Sequence, residues 1–415
     1  GGSYVSDSFA VLFKVFFLVV ALAVLLLSLR YFREGRYFQG EYYFLLLSSF
    51  LGMLTISSSR DLLMLFISLE LVTAPAWLMA GFRKRDPRSN EAALKFFLIG
   101  ILSTAVMLYG MSLVYGITGS LRLDEIARAL GGDPEAIAVA AVLFVVTGFA
   151  FKVSSVPFHF WAPDTYEGSP VPVAAFLSVA SKAAGFAGLL QLMFSGFLPL
   201  AEVWAPVFAV LSVLTMTLGN LVAIQQRQVV RLLAYSSVAQ SGYIMLPFAL
   251  AGFGVDREAF AAAVLYILIY GVMNLGAFAV VVALVREAPG AMVSDFAGLG
   301  RRAPVLALSM AMFLVSLAGL PPLAGFWGKL FIVGASIDAG QWWLGAILFV
   351  NSVISLYYYV GIVRQMYLIP TADERPVRAP ALVTGVVAVA AIAVLAVGVF
   401  PDLFARFPPG ATLVP

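Results

Sequence analysis

Apolar runs of about 18 residues or more recur along this whole 415-residue chain, and that recurrence restricts its fold to a membrane-spanning helical bundle. In a lipid core every backbone N–H and C=O must be satisfied internally, which leaves only helices and closed barrels. A barrel would alternate apolar and polar residues over segments of about ten, and these runs do not alternate. With 62% hydrophobic and 11% charged residues, the chain contains nothing that reads as a soluble domain. The expected fold class is an all-α polytopic membrane protein with about twelve transmembrane helices, at roughly 8–30, 42–59, 61–82, 91–116, 137–158, 172–195, 204–224, 229–250, 259–285, 303–336, 341–364 and 381–403. The tenth run is too long for one crossing and holds Gly319-Leu-Pro-Pro-Leu-Ala-Gly325. A broken helix is expected there, because proline removes a backbone donor and clashes with the preceding turn. The fifth run ends in Val156-Pro-Phe-His-Phe-Trp-Ala-Pro-Asp164 and is expected to be interrupted too.

The basic residues divide in two. All nineteen arginines lie in loops or at the ends of apolar runs, whereas five of the six lysines (Lys14, Lys95, Lys152, Lys182 and Lys329) lie inside them. Arginine stays charged almost everywhere, but a buried lysine can release its proton. Odd-numbered loops carry fifteen basic residues, from Arg30, Arg33 and Arg36 to Arg364, Arg375 and Arg378. Even-numbered loops and the tails carry five: Arg60, Arg122, Arg128, Arg257 and Arg406. The positive-inside rule then places odd loops in the cytoplasm and both termini outside. The net charge of +3 reflects this topology and implies no nucleic-acid binding. The absence of cysteine excludes disulfides, thiolate metal sites and cysteine-ligated iron–sulfur clusters, and one histidine does not build a metal site. No cleavable signal peptide is expected, because the first run is too long and further spans follow. The chain opens Gly1-Gly2-Ser3 without methionine, so a processed or incomplete N-terminus is expected.

Ionisable residues deep in a span are expensive and face a bundle interior or a wet cavity. Lys14 sits six residues into its span, where snorkelling to the interface is the better reading. Lys95 lies near a span end and is four residues from Glu91, so an i,i+4 pair competes with a functional role. Lys152 and Lys182 are deep, and the Ala, Gly and Ser around Lys182 suit close helix packing. Glu70 is the only acid deep inside a span. A Glu–Lys pair of changing distance or hydration makes a proton switch, and a static buried pair is the bland alternative. His159 at the fifth-span break suits proton relay, or simply hydrogen-bonds there. Asp164 and Glu167 are expected close to the external side, pairing, capping a helix or marking an exit. Tyr235, Ser236 and Ser237 either line a wet pathway or act as polar glue between helices.

The two broken spans lie five apart and so run in opposite directions, with Lys152 just before one break and Lys329 just after the other. That is the pattern of inverted-topology repeats. The expected organisation is 1–41 for an N-terminal span and loop, 42–195 and 204–364 for two five-helix inverted repeats, and 381–415 for a last span and tail.

Three long motifs carry a family resemblance. They are Phe151-Lys-Val-Ser-Ser-Val-Pro-Phe-His-Phe-Trp-Ala-Pro-Asp-Thr-Tyr-Glu-Gly-Ser-Pro-Val-Pro-Val173 with Ala180-Ser-Lys182, then Arg231-Leu-Leu-Ala-Tyr-Ser-Ser-Val-Ala-Gln-Ser-Gly-Tyr243, then Leu317-Ala-Gly-Leu-Pro-Pro-Leu-Ala-Gly-Phe-Trp-Gly-Lys329. In these the chain resembles the antiporter-like subunits of respiratory complex I over essentially its whole length, and their N (ND2-like) branch above the others. The resemblance implies that Glu70 is the acid paired with the central lysine, Lys152 that lysine, Lys182 a bridging lysine and His159 the histidine at the break. It further implies that Lys329 is the lysine of the second broken helix, where the M branch has an acid, and that Lys95 is an additional family lysine. The resemblance implies, finally, that these residues form a midplane polar axis along which proton movement is coupled to quinone reduction elsewhere.

The resemblance also implies departures. The N branch typically has fourteen spans, and this chain would lack the first two. Gln240 stands where some relatives have histidine, and no long lateral helix of the L type follows the last span.

The function expected from the resemblance is a proton-translocating membrane subunit of an NADH–quinone oxidoreductase. No cofactor or metal is expected in this chain; NAD, FMN, iron–sulfur clusters and quinone belong to partner subunits. Other membrane subunits and the lipid bilayer are the expected partners, in a hetero-oligomer of the bacterial inner membrane. The rivals are a subunit of a multisubunit cation/proton antiporter or membrane-bound hydrogenase, and a structural spacer with an idle channel. A lipid-modifying enzyme ranks last, since no nucleophile or metal constellation appears.

Overall fold

The structure, a computed structural model, describes residues 2–35, 37, 39–132, 136–371 and 375–402. Arg36 and Arg406, both used in the loop count, and the tail beyond residue 402 lie outside the described residues. Helices account for the architecture, and among the described residues β-pairing is limited to isolated bridges.

Every expected span has a helical counterpart. The first four are α1 (Ser8–Glu34), α2 (Gln39–Ile56), α3 (Leu62–Ala80) and α4 (Pro87–Thr118), followed by a short helix, α5 (Leu123–Ala129). The fifth span is split into α6 (Ala136–Lys152) and α7 (Trp161–Gly168). The sixth runs through α8 (Val171–Phe176), a π-helical turn at Leu177–Ser181, α9 (Lys182–Gln191) and a second π turn at Leu192–Gly196. Then come α10 (Ala201–Ala223), α11 (Val229–Met245), α12 (Asp256–Leu284) and a small loop helix, α13 (Leu299–Arg302). The tenth span is split into α14 (Pro304–Ala318) and α15 (Ala324–Asp338), and α16 (Trp342–Leu368) and α17 (Ala381–Val399) complete the chain. Eight of these segments are by themselves long and apolar enough to cross a membrane; α6 and α14 are shorter apolar helices that end at the breaks.

Local sequence explains the boundaries. Asp7 caps α1 by accepting from the Ala10 N–H (2.8 Å), and Asp61 caps α3 through Met64 (2.6 Å). Asp86 followed by Pro87 opens α4, and Gly119 in a left-handed conformation closes it. At the first break Ser154 and Ser155 fold back onto the Phe151 and Ala150 carbonyls, at 2.9 and 2.8 Å. The Trp161 indole then donates to the Phe151 carbonyl (3.1 Å), so the first residue of α7 is tied to the last turn of α6. At the second break Gly319 has φ +89°, a conformation in which a Cβ is strained, and a Cβ there would also meet Lys329 Cδ at 2.7 Å.

Burial ranks the spans. The hydropathic window of the Val171–Gly196 span is 100% buried and that of α12 is 89% buried, against 33% for α1, α4, α16 and α17. The sixth and ninth spans are therefore the central pillars, and the 33%-buried helices turn apolar side chains such as Leu18, Leu102 and Phe349 outward as lipid would require. One arginine departs from the loop pattern. Arg60 lies between spans but is buried, its guanidinium donating to the Asp7 and Gln191 side chains. Backbone bonds from Arg60 to Ser3 (2.9 Å) and from Val5 to Ser58 (2.9 Å) lace the N-terminal segment over it.

Replacing Gly319 with alanine is expected to destabilise the second break by about 1–2 kcal/mol, the cost of a left-handed non-glycine residue, before the clash with Lys329 is added. Thermal unfolding of the purified protein in detergent checks this, and an unchanged midpoint would contradict it.

Candidate functional site

Three lysines sit in the interior: Lys152, Lys182 and Lys329 are 5%, 2% and 5% exposed. None makes an ion pair among the described residues, and each is held instead by neutral oxygen atoms. Lys152 ends α6 and donates to the Thr73 hydroxyl of α3. The Thr73 hydroxyl in turn donates to the Leu69 carbonyl at 2.6 Å. Space for the Lys152 stem comes from Gly185 of α9, where a Cβ would meet Lys152 Cγ at 3.0 Å.

Lys182 opens α9 directly after the π turn, a distortion that recurs at functional sites. Its ammonium donates to both the carbonyl (2.7 Å) and the hydroxyl (2.5 Å) of Ser237 on α11. The Tyr270 hydroxyl of α12 stands 2.8 Å from Ser237 Oγ and 2.9 Å from the Ser178 carbonyl, and Asn274 donates to it at 3.0 Å. The Asn274 side-chain oxygen is buried with no partner among the described residues. Ser241, one turn beyond Ser237, donates to the Val153 carbonyl at 2.6 Å and so ties α11 to the residue after Lys152.

Lys329 reaches back across the second break. It donates to the Leu317 (3.1 Å) and Ala318 (2.9 Å) carbonyls, and to Ser352 of α16 (2.9 Å). It therefore caps the C-terminus of α14, where free carbonyls and the helix dipole favour a cation. Its ammonium also lies 4.4 Å from the centre of the Tyr243 ring. Gln240 of α11 donates to the same Leu317 carbonyl at 3.1 Å and accepts from Tyr266 at 2.5 Å. One helix, α11, thus presents Ser237 to Lys182 and, a turn later, Gln240 to the carbonyl that binds Lys329. The lysines do not touch one another, so proton passage between them needs mobile hydroxyls or water.

The other expected residues are placed as follows. Glu70 is half-buried and accepts from Thr104 of α4 at 2.9 Å. It is not ion-paired with Lys152; Thr73, one helical turn along α3, holds the ammonium instead. His159 lies in the break, half-buried, and among the described residues its Nδ1 has no partner and no hydrogen bond joins it to the lysine row. Lys95 is 44% exposed and pairs with Glu91 and Asp164, both at 2.7 Å, away from that row. Lys14 is bonded to the Tyr4 hydroxyl at 2.8 Å, near the start of α1.

Asp164 and Glu167 are not at the end assigned to them from sequence. Both bind Arg231, at 2.7 and 2.8 Å, and Arg83 donates to the Gly168 carbonyl, so they belong to the arginine-rich end. The reason is connectivity: α7 continues the fifth crossing, so its far end joins the odd loops. Of the α11 trio, Ser236 (2.5 Å from the Tyr359 hydroxyl) and Ser237 face inward, while Tyr235 turns to Arg231, 5.9 Å from its guanidinium carbon to the ring centre.

Thr73, Ser241, Tyr266, Tyr270 and Asn274 were not singled out from sequence. Two signals were available. Thr73 is three residues from Glu70 on the same helix face, and Tyr266, Tyr270 and Asn274 repeat every four residues in the apolar body of a helix whose charges are confined to its first turn.

A lipid-embedded bundle with two broken helices and a row of unpaired buried lysines is the architecture of an ion-translocating membrane protein. The sequence pattern described as "NADH:quinone oxidoreductase/Mrp antiporter, TM" matches residues 59–355. The chain is 41% identical to NADH-quinone oxidoreductase subunit N of Desulfitobacterium hafniense, across 88% of this chain and 77% of that protein. It is 43% identical to subunit N 2 of Streptomyces griseus, across 98% and 80%. A chain of respiratory complex I from Thermus thermophilus with bound aureothin superposes with a TM-score of 0.81 at 33% identity, covering 98% of this chain and 87% of that one. A chain of the Mrp complex from Dietzia sp. DQ12-45-1b shares the fold, with a TM-score of 0.87 at 21% identity over 98% and 83%. The chain belongs to the NADH:quinone oxidoreductase/Mrp antiporter family of transmembrane proteins.

Replacing Thr73 with valine keeps the shape and removes the hydroxyl that accepts from Lys152. A loss of about 1.5–3 kcal/mol is expected, the range for a hydrogen bond to a charged group, with Thr73→Ser restoring it. Equal melting of all three proteins would contradict this.

Proposed function

We propose that this chain is a proton-translocating membrane subunit of an NADH–quinone oxidoreductase, working among other membrane subunits of a hetero-oligomer. One observation carries the reading above the rest: three nearly inaccessible lysines lie along one hydrogen-bonded core, and among the described residues no carboxylate pairs with any of their ammonium groups. A purely structural core gains nothing from unpaired charges in lipid, whereas a proton path needs groups that can release and regain a proton. Lys152 exchanges protons under the field of Glu70, Lys182 passes charge on through the Ser237–Tyr270 cluster, and Lys329 serves the second broken helix. His159 and Lys95 stand at the margins of this path as auxiliary proton stations.

Residues 42–195 and 204–364 are the two inverted five-helix units, each with its own broken helix. The arginine-rich loops face the cytoplasm and both termini lie outside, in a bacterial inner membrane. NAD, FMN, iron–sulfur clusters and quinone are assigned to partner subunits. The oxidoreductase reading ranks above an antiporter subunit because relatives at 41% and 43% identity bear oxidoreductase names, while the Mrp chain is 21% identical.

Lys152→Ala is expected to depress proton pumping in membranes that contain the assembled complex, while Lys14→Ala leaves it near normal. Unchanged pumping in Lys152→Ala, with normal assembly, would instead support an idle spacer.

A further inference from the structure

The charges at the arginine-rich end form one connected group around Asp164. Its Oδ2 accepts from Lys95 of α4 and its Oδ1 from Arg231 of α11, each at 2.7 Å. Arg231 also binds Glu167 (2.8 Å) and lies against the Tyr235 ring, while Lys95 binds Glu91 (2.7 Å). Arg83 from the α3–α4 loop closes the end of α7 through the Gly168 carbonyl at 2.8 Å. Asp164 and Arg231 are 30% and 29% exposed, so water screens this network less than it would surface pairs. The carboxylate thus joins three helices at one point.

Those helices lead directly to the lysine row. The α7 helix is tied to the end of α6 by the Trp161–Phe151 bond, one residue from Lys152. The α11 helix carries Arg231 and, six residues on, the Ser237 that holds Lys182. A shift of α7 against α11 therefore changes where Lys152 stands relative to Ser237 and Lys182. We propose that Asp164 is a positioning residue: it clamps α7 to α4 and α11 and so sets the spacing between the first two lysines of the path. This rests on the proton-translocating reading above. It gives Lys95 a mechanical role as one arm of the clamp.

The test measures protons pumped per quinone reduced in membrane vesicles containing the assembled complex. A defect that is only structural lowers the amount of complex and both rates together, whereas misplacement of the lysines lowers the ratio. Asp164→Asn is expected to reduce the ratio about two-fold or more, the low end of what losing one link in a coupling network does. Asp164→Glu is expected to recover it. Arg231 donates to both carboxylates through one nitrogen, Nη1, at the end of a rigid guanidinium. Arg231→Lys keeps the charge but loses that fixed placement, and should also lower the ratio; it decides the matter if Asp164→Asn fails to assemble. Lys152→Ala is run alongside. A normal ratio in Asp164→Asn or Arg231→Lys with a depressed Lys152→Ala overturns the clamp and leaves the function standing. A ratio that Asp164→Glu does not recover also overturns the clamp. Normal ratios in all variants overturn the function and the clamp together.

Discussion

The grip of Ser237 on the Lys182 ammonium is the interaction on which the rest of the interior depends. It places a cation in the most enclosed span of the bundle with a carbonyl and a hydroxyl as partners and no carboxylate. A buried ammonium paired with a carboxylate would be held in one charge state, since an opposite charge within a few ångströms favours the ionised form. Neutral oxygens solvate the proton without fixing it. The same choice recurs at Lys152, through Thr73, and at Lys329, through two carbonyls and Ser352.

The broken helices make those partners available. Ending a helix inside lipid exposes carbonyls that must find donors. At the first break a tryptophan indole and two folded-back amides supply them, leaving the Lys152 side chain to turn towards α3. At the second, Lys329 is itself the donor. The two lysines thus have different duties at related breaks: one is aimed away from its break and the other closes it.

Much of this was legible in the sequence, for identifiable reasons. Spans were readable because lipid imposes long apolar runs, and the breaks because Pro157, Pro321 and Pro322 interrupt them. The lysine row was readable because an intramembrane charge is too expensive to be incidental. The partners were not. Thr73 looks like any hydroxyl in an apolar helix, and its tie to Lys152, 79 positions away, exists only once α3 and α6 are packed. Asp164 was expected close to the external side, although residues 159–171 fall in the fifth, odd-numbered loop by the span count, and its bond to Arg231 of another odd loop agrees with that parity. Glu70 was expected to pair with Lys152 but accepts from Thr104 of α4, while Thr73, one turn along α3, holds the ammonium.

The central claim is that a lysine in this row works by releasing its proton and not by its charge alone. The most direct measurement is proton pumping by an assembled complex carrying Lys182→Arg. Arginine keeps the cation and satisfies the Ser237 carbonyl and hydroxyl, yet it stays protonated in a protein interior. The account predicts that pumping falls as far in Lys182→Arg as in Lys182→Ala. Pumping that survives in Lys182→Arg while failing in Lys182→Ala would show that a fixed charge suffices, and would contradict it.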